Sequence, residues 1–173
     1  MPAALFAALT VSLTSFAVYT DVRWGKIFNR VTLPAIALGL ALNAALSGVD
    51  GLVWSLEGVG VGLGLFLASA FFGRLLGGGD IKLFIAIGAL QGPTFLGWAV
   101  VYTALVGAAL AIAVGLYRGV LGQRLRLLMA SSYLRLAQGV PMEMTEAEAG
   151  PRLPYAIAIC LGSLIALAVF NAW

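Results

Sequence analysis

The chain has 173 residues, of which 62% are hydrophobic and only 10% are charged, and its mean hydropathy is +1.04. A water-soluble domain is about 45–50% apolar and about a quarter charged, so the composition excludes a soluble fold and predicts an all-α, polytopic membrane helix bundle. The single cysteine, Cys160, and the absence of histidine exclude disulfides, His/Cys zinc sites and histidine-dependent nucleophilic catalysis. We expect Cys160 to be an inert packing residue. The net charge of +3 suits membrane topology better than nucleic-acid binding.

Apolar stretches predict about six transmembrane helices in one membrane-embedded domain covering residues 1–173. The first stretch is uncharged and its basic residues follow it, so we expect a retained helix, not a cleaved signal peptide. Asp50-Gly51 and Gln91-Gly92-Pro93 predict turns between neighbouring helices. The stretch before Gln91 is short for a bilayer crossing, and whether it spans fully is left open. The predicted spans are approximately 2–20, 31–48, 52–72, 80–91, 93–117 and 153–172.

The distribution of basic residues predicts the topology. All ten Lys and Arg residues lie within 23–30, 74–82 and 118–152. Six crossings with the N-terminus outside would place these three segments on one side, and basic residues concentrate in cytoplasmic loops. We therefore expect a cytoplasmic main polar loop, in which 121–136 lies along the membrane surface and 141–150 forms a solvated acidic loop.

Glycine spacing in the third stretch predicts close helix packing. Gly58, Gly60, Gly62 and Gly64 form overlapping pairs of small residues four positions apart. Such pairs allow the backbones of two membrane helices to approach closely.

Two of the seven acidic residues are candidates for chemistry. Asp21 ends the first predicted helix and Asp80 begins the fourth, and the predicted topology places both at the cytoplasmic boundary. Two close carboxylates share a proton, so that one can accept a proton from an attacking water while the other donates to the developing oxyanion. Asp80 could instead act only as a helix cap and Asp21 as an interfacial polar residue. Glu57 is the remaining candidate at membrane depth.

Three motifs together resemble the type IV prepilin peptidases. Residues 77–83, Gly-Gly-Gly-Asp-Ile-Lys-Leu, look like the Gly-x-Gly-Asp-x-Lys signature of that family. Residues 21–34 resemble its first motif, in which an Asp precedes basic residues, Ile-Pro-Asn and Thr-Leu-Pro. Leu153-Pro154-Tyr155-Ala156 is close to its Pro-Tyr-Gly. The chain departs from the pattern at Phe28, where the family commonly has Pro, and at Ala156, where it commonly has Gly.

The resemblance implies an aspartic endopeptidase that removes the short basic leader of prepilins or pseudopilins at the cytoplasmic face of the bacterial inner membrane. Asp21 and Asp80 would be catalytic. Gly77, Gly79, Lys82, Lys26 and Asn29 would position the substrate or support the catalytic pair. No metal or cofactor is implied, and the partners would be the prepilin and the lipid bilayer, with no nucleic acid and an oligomeric state that the sequence leaves open.

Many members of the family carry a cytoplasmic segment with paired Cys-x-x-Cys motifs and also methylate the pilin. This chain has one cysteine and is similar to the short, peptidase-only branch associated with Flp/Tad-type pili, so we expect no methyltransferase activity.

Three alternatives stay open at this point. A presenilin-like protease also uses a Gly-x-Gly-Asp motif, although Asp21 here opens a basic loop. A small transporter would need polar residues at mid-membrane, for which Glu57 is the acidic candidate. An inactive member of the peptidase family would not need both carboxylates.

Overall fold

The structure, a computed structural model, describes residues 2–71, 77–117 and 155–171. These residues form four helices: α1 (Pro2–Trp24), α2 (Asn29–Phe71), α3 (Gly78–Tyr117) and α4 (Tyr155–Asn171). The predictions of a surface helix at 121–136 and an acidic loop at 141–150 lie outside the described residues. The chain divides into two compact units, one of residues 1–107 with 154–173 and the other of residues 108–153. The first unit contains the hydrophobic core and both Asp21 and Asp80.

The helical bundle confirms the all-α class, but it does not confirm six crossings. Three helices, α1, α2 and α3, are long and apolar enough to cross a membrane, and α4 is a shorter apolar helix. The predicted spans 31–48 and 52–72 lie in one continuous helix, α2, and the spans 80–91 and 93–117 lie in another, α3.

The helix α2 reverses direction at Gly48, which has a φ of 63°. Asn43 and Ser55 stand on either side of this residue, yet both donate side-chain hydrogen bonds to the carbonyl of Ala89, at 3.1 and 2.6 Å. Twelve residues of straight helix would separate them by about 18 Å. The turn was predicted at Asp50-Gly51, which is wrong by two residues: Gly48 adopts the left-handed backbone that favours glycine, whereas Gly51 is buried against the carbonyl of Asn43.

The predicted break at 91–93 is confirmed. Gly92 has a φ of 82° inside α3, and a Cβ added to Gly88 would lie 2.8 Å from the side chain of Leu96. Residues eight apart in a straight helix are separated by about 12 Å, so α3 also folds back on itself. A Cβ at Gly92 would meet the indole of Trp54, and Asn43 bonds the carbonyls of Ala89 and Leu90. The reversals of α2 and α3 therefore lie at the same end of this unit.

The short segment before Gly92 is the centre of the bundle. Of residues 81–90, all but Lys82 and Ile85 are buried. The remaining core side chains come from α1, from the second half of α3 and from α4, and include Leu13, Leu96 and Ile159. A helix that is buried on all sides needs an apolar surface all round, which explains why residues 83–90 carry no polar side chain although this stretch is short.

Glycines bring α2 against this central segment. Gly58 faces the backbone of Gly88, and a Cβ at Gly62 would lie 2.7 Å from Ile85. Gly60 and Gly64 have open space around them. The predicted close packing is thus confirmed for Gly58 and Gly62, and the other two glycines do not take part in it.

Candidate active site

The glycine at the C-terminal end of α1 fixes where Asp21 lies. Gly25 has a φ of 63°, and its N–H donates to the carbonyl of Asp21 at 2.8 Å. This is the left-handed glycine stop that satisfies a terminal carbonyl. The chain then turns through 25–28 and starts α2 at Asn29, where the N–H of Val31 donates to the carbonyl of Phe28 at 3.0 Å. The half-buried side chain of Asp21 therefore lies beside the loop that joins α1 to α2.

Asp80 lies in the first turn of α3. It is the third helical residue, and its carboxylate accepts a hydrogen bond from the backbone of Gly77, just before the helix. A carboxylate at this position that accepts from the backbone of the residue preceding the helix satisfies one otherwise free N–H donor. Asp80 therefore does cap the start of α3, as the alternative role predicted. This role does not account for the neighbouring Asp21.

The two predicted carboxylates lie at one cleft. Residues from α1, the following loop and the starts of α2 and α3 line a cavity of about 620 Å³, and the half-buried Asp21 and Asp80 both lie on its wall. The lining residues are Asp21, Gly25, Lys26, Ile27, Phe28, Asn29, Arg30, Gly77, Gly78, Gly79 and Asp80. Two carboxylates from different helices thus meet at a site open to water.

The glycines before Asp80 differ in what surrounds them. A Cβ at Gly77 would lie 2.8 Å from Oδ2 of Asp80, and one at Gly79 would lie 3.1 Å from Cβ of Ile27. Gly78 has open space. Gly77 therefore leaves room for the carboxylate, and Gly79 lets the loop after α1 pack against the start of α3.

The other predicted supporting residues also lie here. Lys82 donates from Nζ to Oδ1 of Asn29 at 2.8 Å, an exposed contact that joins the start of α3 to the start of α2. Lys26 lines the cleft. Glu57, by contrast, is exposed on α2 and does not line this cleft.

The contribution of α4 to this site was not predicted from the sequence. The backbone N–H of Ala156 donates to Oδ2 of Asp21 at 3.3 Å, and the half-buried Tyr155 precedes it at the start of α4. Free N–H groups in the first turn of a helix are natural partners for a carboxylate. Pro154-Tyr155-Ala156 served only as part of the family resemblance. A helix that begins with a tyrosine was the feature from which a contribution to the site could have been predicted.

The sequence is similar to those of known peptidases. A sequence profile of the type IV leader peptidase family matches residues 8–114. A prepilin peptidase, EppA, from Methanothermobacter thermautotrophicus is 36% identical over 78 residues, which cover 43% of this chain and 20% of that protein. No solved structure matches the chain. The profile match covers more than half of the sequence and includes both Asp21 and Asp80, so the chain belongs to the type IV leader peptidase family.

Proposed function

We propose that this protein is an aspartic endopeptidase that removes the short basic leader from type IV or Flp-type prepilins and pseudopilins. The observation that carries the proposal is the meeting of Asp21 and Asp80 at one open cleft in a chain of this family. The family membership favours a prepilin-type substrate, and the prepilin peptidase from Methanothermobacter is a relative over part of the chain.

The proposed peptide hydrolysis uses the carboxylates of Asp21 and Asp80 together. Two adjacent carboxylates hold a single proton between them more favourably than they hold two negative charges. The ionised member accepts a proton as water attacks the scissile carbonyl, and the protonated member donates a hydrogen bond to the oxygen on which negative charge develops. Each carboxylate can serve as base or acid, and the protonation behaviour belongs to the pair.

The substrate would lie along the membrane boundary. We propose that Asp21 and Asp80 face the cytoplasm of a bacterial inner membrane and that the reversals at Gly48 and Gly92 face the other side. Six crossings by α1, the two halves of α2, the two halves of α3, and α4 would satisfy this arrangement, in line with the basic residues that flank the cleft. The apolar segment of a prepilin would then lie in the bilayer while its leader enters the cleft.

The first test is co-expression with a prepilin from the same genome in cells that lack other prepilin peptidases. We expect a shortened pilin whose mass, measured by mass spectrometry, corresponds to loss of the leader without methylation of the new N-terminus. The Asp50→Asn variant is a matched control, because Asp50 is an exposed acid beside the reversal of α2 and should cleave like the wild type. An uncut pilin in the presence of membrane-inserted protein would reopen the transporter alternative, and cleavage inside the apolar segment would favour the presenilin-like one.

Loss of the hydrogen bond between Lys82 and Asn29 is expected to lower peptidase activity modestly, by the same amount whichever of the two side chains is replaced. Loss of one exposed hydrogen bond to a charged group should lower kcat/KM by about two- to tenfold. Lys82→Met and Asn29→Ala each break the same bond, so the double variant should be scarcely worse than either single variant. Steady-state cleavage of a purified prepilin checks this expectation. Additive losses would mean that the two side chains act separately.

A further inference from the structure

A row of aromatic rings leads from the candidate active site along the outer surface of α1. Phe28 lies in the wall of the cleft, and its ring meets that of Trp24 edge to face, with 5.8 Å between the centroids. Trp24 meets Tyr19 edge to face at 5.5 Å, and Tyr19 meets Phe16 at 6.3 Å. Aromatic pairs attract one another at centroid distances of about 4.5–7 Å. These four side chains, which we call the aromatic row, therefore form one continuous surface that starts in the cleft.

The aromatic row is exposed because α1 buries a different face. Leu13, Ala17 and Thr20 recur at helical spacing and are buried, and α1 packs along α4. The four rings of the row, by contrast, are each 39–58% exposed. A groove of about 590 Å³ shares one of these rings and is lined by Ser15, Val18, Tyr19, Val22 and Arg23. The outer face of α1 thus offers both a row of rings and a concave surface beside it.

The direction of the aromatic row distinguishes it from a belt of interfacial anchors. Tyr and Trp residues that anchor a protein at the membrane surface collect at the depth of the lipid headgroups, and such residues lie around a bundle at one level. Phe16 and Trp24 are eight residues apart on one helix, which corresponds to about 12 Å along its axis. In the orientation proposed above, the row therefore runs from the membrane boundary into the apolar layer.

A prepilin that is cut in this cleft must leave it along a surface that faces the membrane. Under the proposed function, the leader lies in the cleft and the apolar segment that follows the scissile bond lies in the bilayer. Because these two parts are adjacent in the substrate chain, the first turns of the apolar segment have to lie beside the cleft. The aromatic row begins in the cleft wall at Phe28 and extends for the length of about eight helical residues.

We propose that the aromatic row of Phe16, Tyr19, Trp24 and Phe28 is the docking surface for the apolar helix of the prepilin substrate. This inference rests on the proposed function. Lipid tails are as apolar as a helix, so helices associate in a membrane through close van der Waals packing. Rings that already hold one another in place present such a surface with little loss of side-chain freedom on binding. The aromatic row therefore contributes to substrate binding and not to the chemical step.

The first test compares Trp24→Leu with Trp98→Leu in purified enzyme acting on a full-length prepilin. The two tryptophans are matched, because they are 52% and 50% exposed and each contacts a tyrosine ring. Trp98 lies on α3 and lines a different cavity. We expect Trp24→Leu to raise KM about tenfold, as truncation of an aromatic anchor at an interface does, with kcat unchanged. Trp98→Leu should match the wild type in both constants.

Photocrosslinking tests the contact directly, in the Asp80→Asn enzyme, which should bind a prepilin without cutting it. Tyr19→p-benzoylphenylalanine places a photoreactive ring in the aromatic row, and Tyr102→p-benzoylphenylalanine places the same group beside Trp98 on α3. We expect an adduct with the prepilin from position 19, mapped by mass spectrometry to about the first eight residues of the apolar segment. Position 102 should give no such adduct.

The outcomes separate this inference from the proposed function. If the wild type cleaves and Asp80→Asn does not, then a wild-type KM for Trp24→Leu, or adducts at position 19 with lipid alone, would show that the aromatic row faces lipid and that the inference is wrong. A fall in kcat at unchanged KM would also overturn it, because distortion of the cleft through Phe28 would produce that result. If the wild type itself leaves prepilins uncut, the proposed function fails first and the inference fails with it.

Discussion

Replacement of Asp80 by asparagine is expected to abolish leader removal, with kcat at least about 10³-fold below that of the wild type. An amide cannot take up or release the proton that the pair must move, and general acid–base catalysis contributes about 10²–10⁴-fold on its own. The asparagine oxygen can still accept the hydrogen bond from the backbone of Gly77 that Asp80 accepts, so the start of α3 should remain folded. Single-turnover cleavage of a purified prepilin, at equal amounts of folded enzyme, measures the loss.

The Asp21→Asn variant should lose activity to a similar extent for the same reason. Its side-chain oxygen can keep the hydrogen bond from Ala156 N–H, so the contact between α1 and α4 should survive. Asp50→Asn is the control for the chemical change itself. If both site variants were to cleave at near wild-type rates, the carboxylate assignment would be wrong even if the protein proved to be a peptidase.

Addition of one methyl group at Gly58 is expected to disrupt the bundle. A Cβ there would collide with the carbonyl of Gly88 in the central segment of α3. Both partners are backbone, so no side chain can rotate away and the two helices must separate. Overpacking of a tight core costs about 1–3 kcal/mol, and sometimes more. We therefore expect Gly58→Ala to lower the thermal unfolding midpoint in detergent, measured by circular dichroism, and to reduce the amount of folded protein in membranes.

The matched control is Gly60→Ala, two residues away from Gly58 on α2. Gly60 has nothing within 4 Å of an added Cβ, and alanine is favoured over glycine in a helix interior by about 0.5–1 kcal/mol. Gly60→Ala should leave the unfolding midpoint unchanged or raise it slightly. Equal destabilisation by both substitutions would show that the Gly58–Gly88 approach is not what holds α2 against α3.

Several features of this protein could be predicted from the sequence because each depends on local composition. Continuous apolar stretches predict helices, Gln91-Gly92-Pro93 predicts a break, and the scarcity of acidic residues outside loops points to Asp21 and Asp80. The break at Gly48 was misplaced by two residues, because Asp50-Gly51 and Gly48 are both acceptable turn residues and only the packing of Gly51 against Asn43 distinguishes them. The short stretch before Gln91 was difficult to interpret, because burial by other helices rather than by lipid is not visible in a hydrophobic pattern.

The sequence by itself determined the class of protein, and it singled out Asp21 and Asp80 as the candidate carboxylates at the ends of two predicted helices. Only the tertiary structure decided that the pair meets at one cleft, that Lys82 bonds Asn29, and that α4 contributes to the site. Ala156 and Asp21 are 135 residues apart, and nothing in the local sequence of either residue encodes their contact. Their hydrogen bond exists because α1 and α4 pack along each other, and that packing depends on the shape of the whole core.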